Sequence, residues 1–337
     1  MAYKALIAGC SGHQLNAEER AFFRDARPCG LILFARNCAT REQIRSLVAD
    51  VHEAIGSDIL VLIDQEGGRV QRMGPPEWPA YPAARRFAEL YDADRPEGIE
   101  AARLVTHLMA RDLHEVGINV DCLPVLDVPV PGAHGIIGDR AYGSDAETIS
   151  VLGRAAAQGL LDGAVLPLVK HVPGHGRARA DSHKDLPVID ATLEELQKSD
   201  FAPFRALNDM PLAMTAHVVL KTLDDSAPAT TSALIMDKVI RDWIGFSGLV
   251  MSDDLDMAAL SGQIEERAEA VIAAGCDVAL HCSGLLADMR LVAEAVPELG
   301  GRSLERFEAA LGRLADPAPF DEERALFLLE RARGVTG

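Results

Sequence analysis

Short apolar runs alternate with amphipathic stretches along the whole chain. Most of the runs lack apolar–polar alternation, as expected for parallel strands that are buried on both faces. There are eight such runs, at residues 5–9, 31–35, 59–63, 118–126, 165–169, 212–219, 249–251 and 278–281. Helical patterns lie between them, at residues 17–27, 41–55, 98–116, 145–163, 192–208, 232–243, 265–274 and 283–296.

The ends of several predicted helices carry the expected capping residues. Thr192 is followed three residues later by Glu195, which is a capping-box spacing, and Gly56, Gly117 and Gly275 stand where helices should end. Alternating strands and helices predict a parallel sheet, and eight repeats favour its closure. We therefore predict an α/β fold, a single (β/α)₈ TIM-type barrel forming one domain over residues 1–337. The tail from Arg302 onward is predicted to add one or two covering helices.

An open, doubly wound sheet is the alternative fold. Such sheets often carry a Gly-x-Gly-x-x-Gly motif after the first strand, and only a partial match, Gly9 to Gly12, is found there. The closed barrel is therefore the preferred prediction.

Composition narrows the classes of partner. The chain has 51 acidic and 33 basic residues, a formal net charge of −18, which makes nucleic acid and anionic membranes poor partners. A neutral or weakly charged small ligand is expected instead.

Six cysteines without a CxxC pair predict buried thiols in a reducing compartment, so we expect a cytoplasmic protein. The segment ending at Cys10 resembles the end of a lipoprotein signal. The apolar stretch after Lys4 is too short for one, and a first core strand is the better interpretation. No run is long enough to predict a membrane span.

Polar residues follow nearly every predicted strand. In a barrel, the active site lies at the carboxyl ends of the strands, so this pattern predicts an enzyme. These residues are Asp64, Gln65, Glu66, Asp127, Lys170, His171, His217, Asp253, Asp254, His281 and Cys282.

The segment after the fifth strand, residues 170–183, is a long loop with several side chains that could take part in catalysis or bind a metal. Its three histidines, His171, His175 and His183, suggest a metal site, but the prolines and glycines between them prevent the helical spacing of common zinc sites. Acid–base catalysis is the other interpretation. The carboxylate of Asp181 can orient the ring of His183, whose second nitrogen then transfers a proton.

Two further clusters carry carboxylates. Asp253 lies in a strand that runs into three aspartates, and these suit a nucleophile toward an anomeric carbon, a metal cluster or a helix cap. Asp64 follows the third strand and could accept hydrogen bonds from sugar hydroxyls, while Arg72 could bind a ring substituent or hold Asp64 in place. The pattern alone leaves these alternatives open.

Taken in order, the motifs resemble the bacterial β-N-acetylhexosaminidases of glycoside hydrolase family 3. The main motifs are Asp64-Gln-Glu-Gly-Gly-Arg-Val-Gln-Arg72, Lys170-His-Val-Pro-Gly-His-Gly176, Asp181-Ser-His183 and Ser252-Asp-Asp-Leu255. The similarity runs from about residue 30 to residue 285.

The resemblance implies a retaining mechanism that needs no metal or organic cofactor. It assigns Asp253 as the nucleophile and His183, paired with Asp181, as the acid–base residue. It also implies sugar-binding roles for a set of charged residues, namely Asp64, Arg72, Arg140, Lys170 and His171.

The implied reaction is exo-hydrolysis of N-acetylglucosaminyl-anhydromuramyl fragments during cell-wall peptidoglycan recycling. Three alternatives remain. They are a metal-dependent hydrolase built on His171, His175 and the Asp253 cluster, a non-catalytic sugar-binding barrel, and an N-acetylglucosaminide phosphorylase. The loop residues Arg177 and Arg179 depart from the family pattern, and they either hold an anionic substrate group or are simply exposed.

Overall fold

Eight parallel strands close into a barrel. The structure, a computed structural model, describes residues 2–180, 182 and 185–334. The barrel strands are β1 Lys4–Ala8, β2 Pro28–Leu33, β3 Leu60–Ile63, β4 Val120–Asp121, β5 Leu166–Val172, β6 Leu212–Thr215, β7 Leu249–Asp254 and β8 Val278–His281. Each strand pairs with the next along the chain, and β8 pairs in parallel with β1 to close the ring. The predicted (β/α)₈ barrel is confirmed, and the open sheet is wrong.

The barrel strands are apolar because both of their faces are covered. Every residue of β2 and β3 is buried, and the two strands pair in register from Gly30 with Leu60 to Leu33 with Ile63. One face points into the barrel and the other packs under the surrounding helices, so neither face has a reason to alternate. The segment before Cys10 is β1 itself, as predicted.

Helices surround the barrel in chain order. They are α1 Ala17–Ala26, α2 Arg41–Ile55, α3 Ala84–Ala93, α4 Arg95–Glu115, α5 Ala146–Asp162, α6 Leu193–Lys198, α7 Ala202–Ala206, α8 Ile264–Ala273, α9 Leu286–Ala295, α10 Gly301–Leu311 and α11 Glu322–Arg333. A further segment, Ile235–Trp243, is a π-helix. Short 3₁₀ turns occur at Ala35–Asn37, Gly138–Arg140 and Ala229–Thr231.

The helix boundaries largely match the predictions. The capping box at Thr192 is present, and Gly56 ends α2 in a left-handed conformation with φ 74°. The predicted helix at 192–208 is instead two short helices, and α3 was not predicted at all. The two covering helices expected from the tail are α10 and α11, and α11 packs against α3 and α4.

Two small ribbons extend the barrel at its carboxyl end. Gln65–Gly67 pairs antiparallel with Val70–Gln71 directly after β3, and Val188–Ile189 pairs with Val219–Leu220 beyond β5 and β6. The first ribbon folds the chain back on itself, so Asp64 before it and Arg72 after it come face to face.

All six cysteines lie in the described part of the chain, where none forms a disulfide; five are buried and Cys38 is half-buried. Within the same residues, no helix is both long enough and apolar enough to cross a membrane.

Candidate active site

A cavity of about 280 Å³ opens at the carboxyl ends of the barrel strands. Its floor includes Ile32, Met214 and Leu280, which β2, β6 and β8 point into the barrel. Six of the eight predicted site residues line it, namely Asp64, Arg72, Arg140, Lys170, His171 and Asp253. The other two, Asp181 and His183, lie outside the described residues. Ser182, between them in sequence, lines the cavity.

Lys170 is a buried cation at the centre of one wall. Its Nζ lies 2.7 Å from Asp64 Oδ1 and 2.6 Å from Glu66 Oε1, and its side chain is only 2% exposed. Burial by itself would lower the pKa of this amine, but the two carboxylates outweigh burial and raise the pKa. Lys170 is therefore charged at neutral pH.

Arg140 completes the wall by a bidentate ion pair. Arg140 is the last residue of the 3₁₀ turn Gly138–Arg140, and its Nε and Nη2 donate to the two carboxylate oxygens of Glu66 at 2.7 and 2.8 Å. A planar guanidinium fits a carboxylate in this geometry better than an amine does. Glu66 is thus held by two cations from distant parts of the chain.

Arg72 faces Asp64 across the first ribbon, with Nη2 2.9 Å from Asp64 Oδ2. The side-chain oxygen of Gln65 accepts the backbone N–H of Arg72 at 3.0 Å, which fixes the ribbon. Burial alone would raise the pKa of Asp64, but Lys170 and Arg72 together hold it well below its usual range. Asp64 is therefore an ionised acceptor placed at the cavity.

Asp127 organises the start of the loop after β5. Its Oδ2 lies 2.7 Å from His171 Nδ1, and its Oδ1 accepts the backbone N–H of His175 at 2.6 Å. The carboxylate is fully buried, and its contact with the ring of His171 lowers the pKa of Asp127 against the effect of burial. This contact fixes the ring of His171 and leaves its Nε2 for a ligand.

Asp253 lies near the end of β7, half-buried and on the cavity. Its Oδ1 accepts the backbone N–H of Asp254 at 2.8 Å. Burial raises the pKa of the neighbouring Asp254 to about 6, and Asp254 accepts the backbone N–H of Cys282 at 3.2 Å. Asp256 pairs instead with the buried His281 at 3.3 Å. The three aspartates therefore have different partners, and Asp256 does not line the cavity.

The alternative of a metal-dependent hydrolase required His171, His175 and the Asp253 cluster to lie close together. Among the described residues, one group of three or more His, Cys, Asp or Glu side chains has all its ligand atoms within 4.8 Å of one another, and it consists of Asp256, His281 and Asp288. His171, His175 and Asp253 do not form such a group in that part of the chain, and Nδ1 of His171 faces Asp127.

Two charged residues of the site had no predicted role. Glu66 holds both Lys170 and Arg140, and Asp127 holds His171. The sequence predicted both as polar residues at strand ends. It could not predict their partners, which are far away in sequence.

The two loop arginines are placed differently from each other. Arg177 Nε donates to the buried Asp200 at 2.7 Å, so its charge is already paired, whereas Arg179 is exposed. Neither lines the cavity.

Residues 5–316 match the glycosyl hydrolase family 3 N terminal domain. The chain belongs to this family. It is also 38% identical over 282 residues to a beta-hexosaminidase of Bordetella avium (strain 197N), an alignment that covers 82% of this chain and 80% of that protein. The predicted family and enzyme class, a glycoside hydrolase of the β-N-acetylhexosaminidase type, are confirmed.

Solved family 3 structures share the fold. NagZ from Neisseria gonorrhoeae in complex with N-trifluoroacetyl-D-glucosamine superposes with a TM-score of 0.83 at 30% identity, covering 98% of this chain and 99% of that chain. The same protein in complex with zinc ion gives a TM-score of 0.86 at 28% identity, covering 100% and 99%.

Proposed function

We propose that this family 3 enzyme is a retaining exo-β-N-acetylglucosaminidase that acts on N-acetylglucosaminyl-anhydromuramyl fragments of the cell wall. The observation that carries the proposal is the position of Asp253. It brings a half-buried carboxylate to a cavity in which Lys170 and Arg140 are already paired with Asp64 and Glu66.

The balanced charges around the cavity suit a neutral sugar ring, such as the N-acetylglucosaminyl part of the proposed substrate. Four acidic residues line it, Asp64, Glu66, Asp253 and Asp254, and four basic ones, Arg69, Arg72, Arg140 and Lys170. The protein as a whole has a net charge of −18, so the balance in the cavity differs from that of the chain. Ionised Asp64 and the guanidinium of Arg72 supply acceptors and donors for sugar hydroxyls. We assign Arg140, Lys170 and His171 to the same sugar-binding role.

In the proposed mechanism, Asp253 attacks the anomeric carbon while His183, steadied by Asp181, protonates the leaving oxygen. A glycosyl ester of Asp253 forms. His183 then removes a proton from water, and the water oxygen attacks the anomeric carbon. The bond from that carbon to Asp253 breaks, which frees the carboxylate and releases N-acetylglucosamine with the β configuration retained. This acid–base pair replaces the second carboxylate, which usually lies ~5–5.5 Å from the nucleophile in retaining enzymes.

Two observations support N-acetylglucosamine as the sugar that the proposed reaction releases. The gonococcal NagZ structure was solved with N-trifluoroacetyl-D-glucosamine, and the Bordetella relative is named a beta-hexosaminidase. We further propose that residues 1–337 form one barrel domain and that the enzyme is cytoplasmic and acts in peptidoglycan recycling. The six cysteines without a disulfide agree with a reducing compartment.

The nucleophile is tested by Asp253→Asn on an aryl β-N-acetylglucosaminide. The variant should lose nearly all turnover because an amide cannot form the glycosyl ester. Turnover above a few per cent of the parent, with an unchanged melting temperature, would contradict the assignment.

The acid–base residue is tested by His183→Ala on two aryl glycosides that differ in leaving-group pKa. Loss of general acid catalysis should slow the poor leaving group by about 10²-fold or more and the good one far less. Equal losses on both would argue against an acid role.

One assay separates the remaining functions. Free sugar and sugar 1-phosphate are quantified with and without phosphate and with and without a chelator. The chelator is included because one structure of NagZ from Neisseria gonorrhoeae is in complex with zinc ion. We expect free sugar to be released at a rate that the chelator does not change. Release of sugar phosphate would indicate a phosphorylase, and loss of activity with the chelator would indicate a metal-dependent hydrolase. Binding of the saccharide without turnover would indicate a sugar-binding barrel.

A further inference from the structure

Ser182 lies in sequence between the two residues of the proposed acid–base pair. It is buried, with 4% of its surface exposed, and it lines the same cavity as Asp253. A serine in a long polar loop is usually exposed, so the reason that Ser182 is buried lies in its contacts.

The side chain of Ser182 contacts a fixed histidine. Ser182 Oγ lies 3.2 Å from His175 Nε2, and the ring of His175 is itself buried. The backbone N–H of His175 is bonded to the buried carboxylate of Asp127, so this end of the contact is anchored at the start of the loop. Burial lowers the pKa of His175 to about 4, so the ring is neutral at pH 7, with one N–H and one lone pair. A hydroxyl fits either form of Nε2, because it can donate or accept.

The main chain of Ser182 is held from the other side of the cavity. Its carbonyl accepts the backbone N–H of Ala259 at 3.2 Å. Ala259 belongs to the segment that follows β7, the strand that carries Asp253. One residue is therefore bonded both to the loop after β5 and to the loop after β7.

We propose that Ser182 is a positioning residue that holds the acid–base loop against the nucleophile strand through His175 and Ala259. The inference rests on the proposed function of Asp181 and His183. Ser182 is joined by peptide bonds to both of these residues, so a restraint at its hydroxyl and its carbonyl acts on the segment that carries the proposed acid–base pair.

The test compares Ser182→Ala with Ser182→Thr. The alanine variant loses one hydrogen bond and should lower kcat on a poor leaving group by about 3- to 10-fold, with a smaller effect on a good one. The threonine variant keeps the hydroxyl and should stay near the parent. Ser150→Ala is the matched control, because Ser150 bonds its hydroxyl to the carbonyl of Ala146 within α5, away from the cavity. It should change neither rate.

A second measurement does not depend on the chemistry. The loop contains Arg177 and Arg179, of which Arg179 is exposed, so limited trypsin digestion reports how firmly the loop is held. Cleavage in the loop should be about 3- to 10-fold faster in Ser182→Ala than in the parent, Ser182→Thr and Ser150→Ala.

The outcomes are distinct. Unchanged trypsin cleavage in Ser182→Ala, or an equal fall in kcat on both leaving groups, would overturn the positioning role. Faster cleavage together with the leaving-group effect supports it. If His183→Ala shows no leaving-group dependence, the proposed acid role fails, and the trypsin rates still decide whether Ser182 fixes the loop.

Discussion

Replacing Lys170 by methionine removes the cation from between two carboxylates while keeping most of the side-chain volume. In the parent, Nζ lies 2.7 Å from Asp64 and 2.6 Å from Glu66, and the amine is 2% exposed. Without it, the carboxylates of buried Glu66 and half-buried Asp64 face each other with no cation between them. Breaking a buried pair in this way costs ~3–5 kcal/mol.

The lower end of that range applies here. Arg72 still pairs with Asp64, and Arg140 still pairs with Glu66 through two hydrogen bonds, so neither carboxylate is left alone. We expect a loss of about 3 kcal/mol. At about 2.1 cal/mol/K per residue, a chain of 337 residues has a melting entropy of about 0.7 kcal/mol/K. Lys170→Met should therefore lower the Tm by about 4 °C.

Thermal unfolding followed by circular dichroism at pH 7 measures the shift. Lys198→Met is the matched control, because Lys198 also lies 2.6 Å from a glutamate, Glu194, but both side chains are about three-quarters exposed. An exposed pair contributes at most about 0.5 kcal/mol, so the control should lose less than about 1 °C. Equal shifts in the two variants would refute the argument from burial.

The pH dependence gives a second check on the same variant. The folded pKa of Asp64 and that of Glu66 are lowered, so their stabilising contribution is present above the unfolded value near pH 4 and is lost as the pH falls. In Lys170→Met, one carboxyl group can instead take up a proton. The Tm gap between parent and variant should therefore narrow from pH 7 toward pH 4, and a constant gap would contradict the explanation.

Two further predictions concern the loop after β5. Arg177→Ala should lower the Tm by about 4 °C because it leaves the buried carboxylate of Asp200 without its cation, at a cost of about 3 kcal/mol. Exposed Arg179→Ala should change the Tm by less than about 1 °C, and equal shifts in the two variants would contradict the role of the ion pair. Burial lowers the pKa of His175 to about 4, whereas the pKa of an unfolded histidine is ~6.5. The unfolded state therefore takes up a proton first, and the free energy of unfolding should fall by up to about 3 kcal/mol as the pH drops from 6.5 to 4. His175→Gln should show a shallower fall in Tm across that window, and an unchanged slope would count against it.

Much of the fold follows from local patterns in the sequence. Burial on both faces requires a nearly continuous apolar run, and all eight barrel strands were found from such runs. Helix α3 was missed because its N-cap residue, Ala83, has no capping side chain and follows a proline-rich stretch that gives no start pattern. The helix predicted at 192–208 is interrupted where Asp200 turns inward to meet Arg177, a contact that no local pattern encodes.

The candidate site divides in the same way. The sequence by itself placed Asp64, Lys170 and Asp253 at strand ends, where a barrel gathers its functional groups. Only the tertiary structure showed that Glu66 holds both Lys170 and Arg140, and that Ser182 bridges two loops. The physical reason is that the burial of a strand can be recognised from the apolar residues next to one another in its sequence. An ion pair or a loop contact joins residues that are far apart in sequence, and these meet only when the barrel closes and brings their strand ends together.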